Sequence, residues 1–287
     1  MAELIAERLG AEILSVDSMQ VFVGMDIGTA KPDQATRRRF RYRMIDVADP
    51  SEEYTVADYQ AAGTAILDEA DASGRDVVIA GGSGLHFRSV VDPLDFPPTD
   101  LELRAELESA SDSDLRDELL AADPEAVRVV DLANPRRVLR AIEILRLTGA
   151  TPSRRAASDE AEAIRSYHPI RPFSAVGIDP GSFIGGRIKR RFDAMLSAGL
   201  VEEVADLAPR LGRTARQAVG YRELLPVADG AGDLAAARIE AIRATASLAK
   251  RQRTYFRRDP RICWIPWHHD SNQMLGAALE ALAKDVT

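Results

Sequence analysis

The chain has 287 residues, 29% of them charged, and a net charge of −8. That length buries a large core as one domain or two, and the ordinary aliphatic content excludes a disordered chain or a fibre. No apolar run approaches the roughly 18–20 residues of a membrane span, and the single cysteine, Cys263, excludes an intrachain disulfide and a cysteine-cluster zinc site. Glu3 and Glu7 stand where a secretory leader would be basic. His86, His168, His268 and His269 lack metal-ligand spacing. A cytoplasmic protein is expected.

Met1–Leu9 reads as a short amphipathic helix, with Gly10 as its stop. Ile13–Val16 is a buried, parallel-type strand that ends in an acid, Asp17. In open α/β sheets ligands bind beyond the carboxyl ends of the strands. Asp17 there is a candidate general base, or the cap of the next turn. Ser18, Met19 and Gln20 follow, then a loop with Gly24, Gly28 and Lys31. Asp33–Arg43 is a charged surface stretch, and Met44–Val47 a short strand. Thr55 N-caps a helix that runs to about Ser73, with Gly74 as its stop. Asp76–Ala80 is a second buried strand. Gly81-Gly82-Ser83-Gly84 then makes a strand–turn–helix junction, which is either a plain tight turn or an anion cradle.

Pro93–Pro98 interrupts the α/β pattern, and from Thr99 to about Arg155 everything reads helical. Segments 100–109, 113–121, 124–130 and 135–148 form this insertion. Asn134 and Pro135 open the last of them as N-cap and first helical residue. Arg136 and Arg140, four apart, share a face. Thr151–His168 reads as a mobile polar connection. Phe173–Ile178 is a returning strand, and Ser182–Ser197 a helix with Arg187 and Arg191 on a common face. A long helix from Asp233 to about Arg253 ends in Lys250-Arg251-Gln252-Arg253-Thr254-Tyr255-Phe256-Arg257. Ile262–Trp267 and Asn272–Lys284 are a last strand and helix. The domains are therefore expected as 1–96 with 173–287, and 97–172.

The acidic average counts against nucleic acid, but basic residues cluster at Arg37–Arg43, Arg136–Arg140, Arg187–Arg191 and Lys250–Arg258. Each is a solvated helix face or part of a basic groove. The last interleaves cations with aromatic rings, which suits phosphates and unstacked bases.

The segment S-V-D-S-M-Q-V-F-V-G-M-D-I-G-T-A-K-P at Ser15–Pro32 closely resembles the tRNA dimethylallyltransferase family. So do G-G-S-G-L-H-F, N-P-R-R-V-L-R, R-I-K-R-R-F-D-A-M-L, Q-A-V-G-Y-R and K-R-Q-R-T-Y-F-R, in that order along essentially the whole chain. The resemblance implies a P-loop-NTPase-like parallel sheet flanked by helices, with an all-helical insertion. It implies transfer of a dimethylallyl group from dimethylallyl diphosphate to an adenine amine beside the anticodon, with Mg²⁺. Asp17 and Arg191 would be catalytic, the arginine binding diphosphate with Lys31 as a second candidate. The tRNA anticodon stem-loop would be met by Asp17, Ser18, Met19, Gln20, Ser83, Arg104, Arg136, Arg137, Arg140, Gln217, Gly220, Tyr221, Arg222, Lys250, Arg251, Gln252, Thr254, Tyr255 and Arg257. Ser83 replaces the family's usual Thr, and Tyr255 its usual Trp. No membrane partner is implied, and a monomer is the default.

The family's G-x-x-x-x-G-K-S/T loop occurs nowhere in this sequence. The first strand and that loop are expected to be missing, which would leave neighbouring strands with unpaired edges. Alternatives are a tRNA-binding remnant without catalysis, a prenyltransferase for free adenine nucleotide, and a phosphate-loop kinase relative.

Overall fold

The computed structural model describes residues 1–284. Helix α1, Ala2–Leu9, ends at Gly10, whose φ of 67° is left-handed and costs a glycine little. Strand β1, Glu12–Val16, is buried at every residue. After a loop come α2, Gln34–Phe40, and β2, Tyr42–Arg43. Asp33 caps α2 by accepting the Thr36 N–H, so the expected surface stretch contains a helix. The strand expected at Met44–Val47 is displaced to Tyr42–Arg43. Met44 and Asp46 take positive φ, 62° and 56°, which an extended strand does not admit. Helix α3, Val56–Ala72, opens with a reciprocal capping box between Thr55 and Asp58. Strand β3, Val77–Gly81, leads into α4, Gly84–Val91.

The middle of the chain, Asp92–Arg171, is a compact unit of its own. It holds α5, Leu101–Ser109, α6, Asp112–Ala122, a 3₁₀ turn at Pro124–Arg128 and α7, Pro135–Thr148. Their apolar faces meet at Leu107, Leu115, Leu119, Ala126, Val138 and Ile142. Asn134 occupies the N-cap position of α7 without a side-chain cap bond, and Pro135 sits at its first turn. The stretch expected to be an irregular connection contains α8, Pro152–Ala156, and α9, Asp159–Arg165. Thr151 and Ser158 cap them, so hydroxyls that read as loop residues start helices instead.

From Pro172 the chain returns to the first unit. Here lie β4, Ala175–Asp179, α10, Ile184–Ser197, α11, Leu200–Leu207, α12, Tyr221–Ala228, and the 23-residue α13, Leu234–Phe256. β5, Ile262–Pro266, and α14, Ser271–Lys284, follow. All strand pairings are parallel, which the alternating helices require. The order is β2-β1-β3 in one sheet and β4-β5 in another, so β3 and β4 exchange no ladder. They share an apolar layer all the same. Val78 of β3, Val176 and Ile178 of β4 and Ile265 of β5 cluster with Ile5 of α1 and Ala278 and Ala281 of α14. A larger core of Leu14, Val16, Phe22, Tyr59, Val90, Leu200 and Tyr221 lies around β1 and fixes its carboxyl end. Among the described residues no helix is long and apolar enough to cross a membrane.

Candidate active site

Asp17 follows the last residue of β1, and Ser83 lies just past the end of β3. The parallel register pairs Val16 with Gly81, and the Ser83 N–H donates to the Val16 carbonyl at 3.1 Å. Asp17 and Ser83 therefore lie on neighbouring strand ends at the rim of the sheet. Asp17 Oδ1 accepts the backbone N–H groups of Met19 (2.8 Å) and Gln20 (3.2 Å). Its Oδ2 makes no hydrogen bond among the described residues. Capping the turn and serving as a base thus fall to different oxygens of one residue.

The Ser83 hydroxyl lies 2.7 Å from His86 Nδ1, and the imidazole meets the Tyr59 ring edge-on at 4.6 Å. Burial pushes His86 below its ordinary pKa, against a smaller upward pull from Asp17. Burial pushes the Tyr59 phenol up, with lesser contributions from Tyr54 and Asp17, and its hydroxyl donates to the Ser15 carbonyl at 2.6 Å.

Arg191, on α10, feels Asp17 directly. Crowding by protein lowers its pKa, the Asp17 charge raises it, and Arg187 lowers it again. Its side chain is nevertheless solvent-accessible. The guanidinium stays charged at any working pH. Neighbouring Arg187 stacks on Trp267 at 4.8 Å.

The glycines of the turn are set by close approach. At Gly81 a Cβ would lie 2.4 Å from the Val16 carbonyl oxygen. At Gly82 it would meet Gln252 at 2.5 Å, and at Gly84 the Tyr255 ring at 2.1 Å. Gln252 and Tyr255 of α13 therefore rest on the turn that carries Ser83. Lys250, Arg251, Thr254 and Arg257 are exposed on the same helix end. Arg257 is tied to Asp179, whereas Lys250 and Arg251 make no ion pair among the described residues.

Several expected site residues are engaged elsewhere. Gln20 accepts from Ser15 Oγ at 2.8 Å and donates to the Thr29 carbonyl at 3.1 Å, so both ends of its amide hold the loop. Ser18 and Met19 are half-buried in the turn, Met19 packing on the core. The Lys31 ammonium is buried against Asp46 (2.5 Å), Asp26 (3.0 Å) and the Phe22 carbonyl (2.6 Å), and is not free for a diphosphate. Tyr221 is 0% exposed, so its ring cannot meet RNA. Its hydroxyl donates to Glu203 at 2.5 Å. Glu203 also accepts the N–H groups of Asp26 (3.0 Å), Ile27 (2.7 Å) and Gly28 (3.1 Å). Gly220 is buried too, Gln217 is exposed, and Arg222 turns to Glu223. The conjunction of the D-I-G-T loop with the G-Y motif through Glu203 has no local sequence signal.

In the helical unit Arg104, Arg136, Arg137 and Arg140 line one cavity of about 650 Å³, and the structure adds Arg155 to them. Arg140 is committed to the buried Glu143 (2.7 Å) and to the carbonyls of Pro97 and Pro98. Arg104 approaches Glu143 at 3.6 Å, and Arg136 makes no ion pair among the described residues.

A parallel α/β body with a carboxylate at the strand rim, an arginine on which that charge acts and a basic, aromatic helix end is the frame of a group-transfer enzyme with an inserted helical unit. The chain belongs to the IPP transferase family, whose model matches residues 20–259. It is 38% identical to a tRNA dimethylallyltransferase of Streptomyces griseus over 99% of this chain and 91% of that one. A tRNA isopentenylpyrophosphate transferase of Bacillus halodurans superposes with a TM-score of 0.67 at 32% identity, covering 99% of this chain and 93% of that one. The corresponding Staphylococcus epidermidis enzyme gives a TM-score of 0.70 at 27% identity, covering 100% and 94%.

Proposed function

We propose that this enzyme transfers a dimethylallyl group from dimethylallyl diphosphate to the N6 amine of an adenosine beside the anticodon of tRNA, acting as a monomer. The observation that carries the reading is the Asp17 carboxylate at the strand rim, one oxygen of which is left over by the turn and whose charge acts on the Arg191 guanidinium. An adenine amine is a poor nucleophile because its lone pair is delocalised into the ring. The allylic carbon compensates, since positive charge on it is shared over three carbons.

The amine nitrogen attacks C1 of the donor, and the C1–O bond breaks. Diphosphate leaves with the bonding electrons, and the N–H proton passes to Asp17 Oδ2. Arg191 offers a forked pair of donors to the phosphate oxygens as their charge grows. The adenine is everted from its loop to reach the rim. Lys250, Arg251 and Tyr255 take the stem-loop with Gln252 and Thr254 beside them. Arg136, Arg137 and Arg155 supply further phosphate contacts.

Mg²⁺ accompanies diphosphate chemistry in the resemblance. Among the described residues no three His, Cys, Asp or Glu side chains converge, so these residues form no cage for the ion. The steps above rest on side chains alone.

The test is transfer of labelled dimethylallyl diphosphate to tRNA and, separately, to AMP, with tRNA binding measured alongside. Label on tRNA alone is expected. Label on AMP, or tRNA binding without label, overturns the proposal.

A further inference from the structure

We infer that His86 is a positioning residue for this transfer: its neutral imidazole holds the Ser83 hydroxyl as a hydrogen-bond acceptor beside Asp17. The inference rests on the proposed transfer reaction and extends it to a residue that does not touch the reacting atoms.

The geometry leaves the Ser83 hydroxyl few choices. Its N–H is fixed to the Val16 carbonyl, and its Oγ is 2.7 Å from His86 Nδ1. We assign the neutral ring the tautomer with its proton on Nε2; a bare Nδ1 is an acceptor only, so in that tautomer the proton on Ser83 points at the ring. The lone pairs of Oγ are then what the hydroxyl presents to its other neighbours. An adenine amine has two N–H bonds. Asp17 takes one, and Ser83 in this state can accept the other, which turns the nitrogen lone pair toward the donor carbon. Protonation of His86 reverses the bond. Nδ1–H donates to Oγ, the Ser83 proton is released toward the site, and the hydroxyl then opposes an N–H with an O–H.

The imidazole is held in its neutral form from several sides. Tyr59 of α3 packs on it edge-to-face, and its phenol stays protonated. The hydroxyl of Ser89 on α4 is tied to the His86 carbonyl rather than to the ring. From α13, Tyr255 and Gln252 cover the turn and bring no charge. Among the described residues Asp17, at the end of β1, is the charged group that acts on the ring, and burial outweighs it. His86 therefore titrates below about 6.5, its ordinary value. Above that midpoint Ser83 is an acceptor, and below it a donor.

The experiment is the pH profile of single-turnover kcat/KM from 5.5 to 8 for the wild type, His86→Gln and Ser83→Ala. It is paired with ring-nitrogen NMR of the full-length protein labelled at histidine. The wild type should lose about fivefold in rate as pH falls through the midpoint, the weight of one hydrogen bond. H86Q keeps a carbonyl acceptor for Ser83 and should show no such limb. S83A should be slower throughout and equally flat. At pH 7.5 the NMR should show Nδ1 of His86 bare. A limb that persists in H86Q at the wild-type midpoint, or a proton on Nδ1 at pH 7.5, overturns the inference. Should H86Q misfold, His86→Asn serves the same comparison. A wild type that transfers nothing at any pH fails the function instead, and the ring-nitrogen shifts, which need no turnover, tell the two failures apart.

Discussion

Replacing Asp17 by Asn separates the two jobs of this side chain. Oδ1 accepts two backbone N–H groups, and an Asn carbonyl oxygen can accept both. The turn and the strand end should therefore survive, with a stability loss under about 1 kcal/mol, or roughly 2–4 °C in Tm for a chain of this size. The other oxygen becomes an NH₂ group, which cannot take a proton. Loss of a general base costs roughly 10²–10⁴-fold, equivalent to about 3–5.5 kcal/mol of barrier. The assay is single-turnover prenyl transfer at saturating tRNA, with binding measured separately. Affinity should move by less than about threefold, since the loss belongs to the transition state. The variant carries a second signature. Asp17 raises the pKa of His86, so removing its charge should move the His86 titration further down. A D17N rate within tenfold of wild type, with the fold intact, would refute the assignment of the base.

Arg251→Ala should weaken tRNA binding and shallow the slope of log affinity against log salt by about one unit, because this exposed cation makes no ion pair among the described residues; an unchanged slope removes it from the interface. Tyr221→Phe should lower stability by about 1.5–3 kcal/mol, since it strips the Glu203 carboxylate of a buried donor, and denaturant unfolding reads this directly. The same variant should leave the salt dependence of tRNA binding unchanged, because the ring is out of reach of RNA. Gly84→Ala should raise KM for tRNA severalfold with little change in Tm, because the new Cβ displaces the half-exposed Tyr255 ring rather than core; a fall of more than about 5 °C in Tm would contradict that order of yielding.

Strand β1 is legible because four consecutive apolar or small residues, Ile13 to Val16, sit between a helix stop and an acid. The parallel sheet follows from strands spaced by helices. The Thr55 cap, the Gly10 stop and the basic end of α13 are local signals that tertiary contacts leave in place. Where the reading departs from the structure, a distant partner decides. Gln20 looks free until the Thr29 carbonyl comes within reach of its amide. Lys31 looks like a phosphate ligand until Asp26 and Asp46 neutralise it. Tyr221 looks like a recognition residue until Glu203, eighteen positions earlier, accepts its hydrogen bond. Helices α11 and α12 escape notice because each has only two turns, too short for a periodic pattern to stand out. Arg155 is hidden in a segment whose helices are started by Thr151 and Ser158, residues that equally mark a loop.

Tyr255 and Gln252 bear on bare main chain at Gly84 and Gly82, with no side chain between to act as a cushion. A displacement of α13 therefore acts on the turn that carries Ser83 through these two side chains. Whatever grips the outer surface of that helix thereby also bears on the turn at the strand rim, so under the proposed function the seating of RNA and the alignment of the base would be set together.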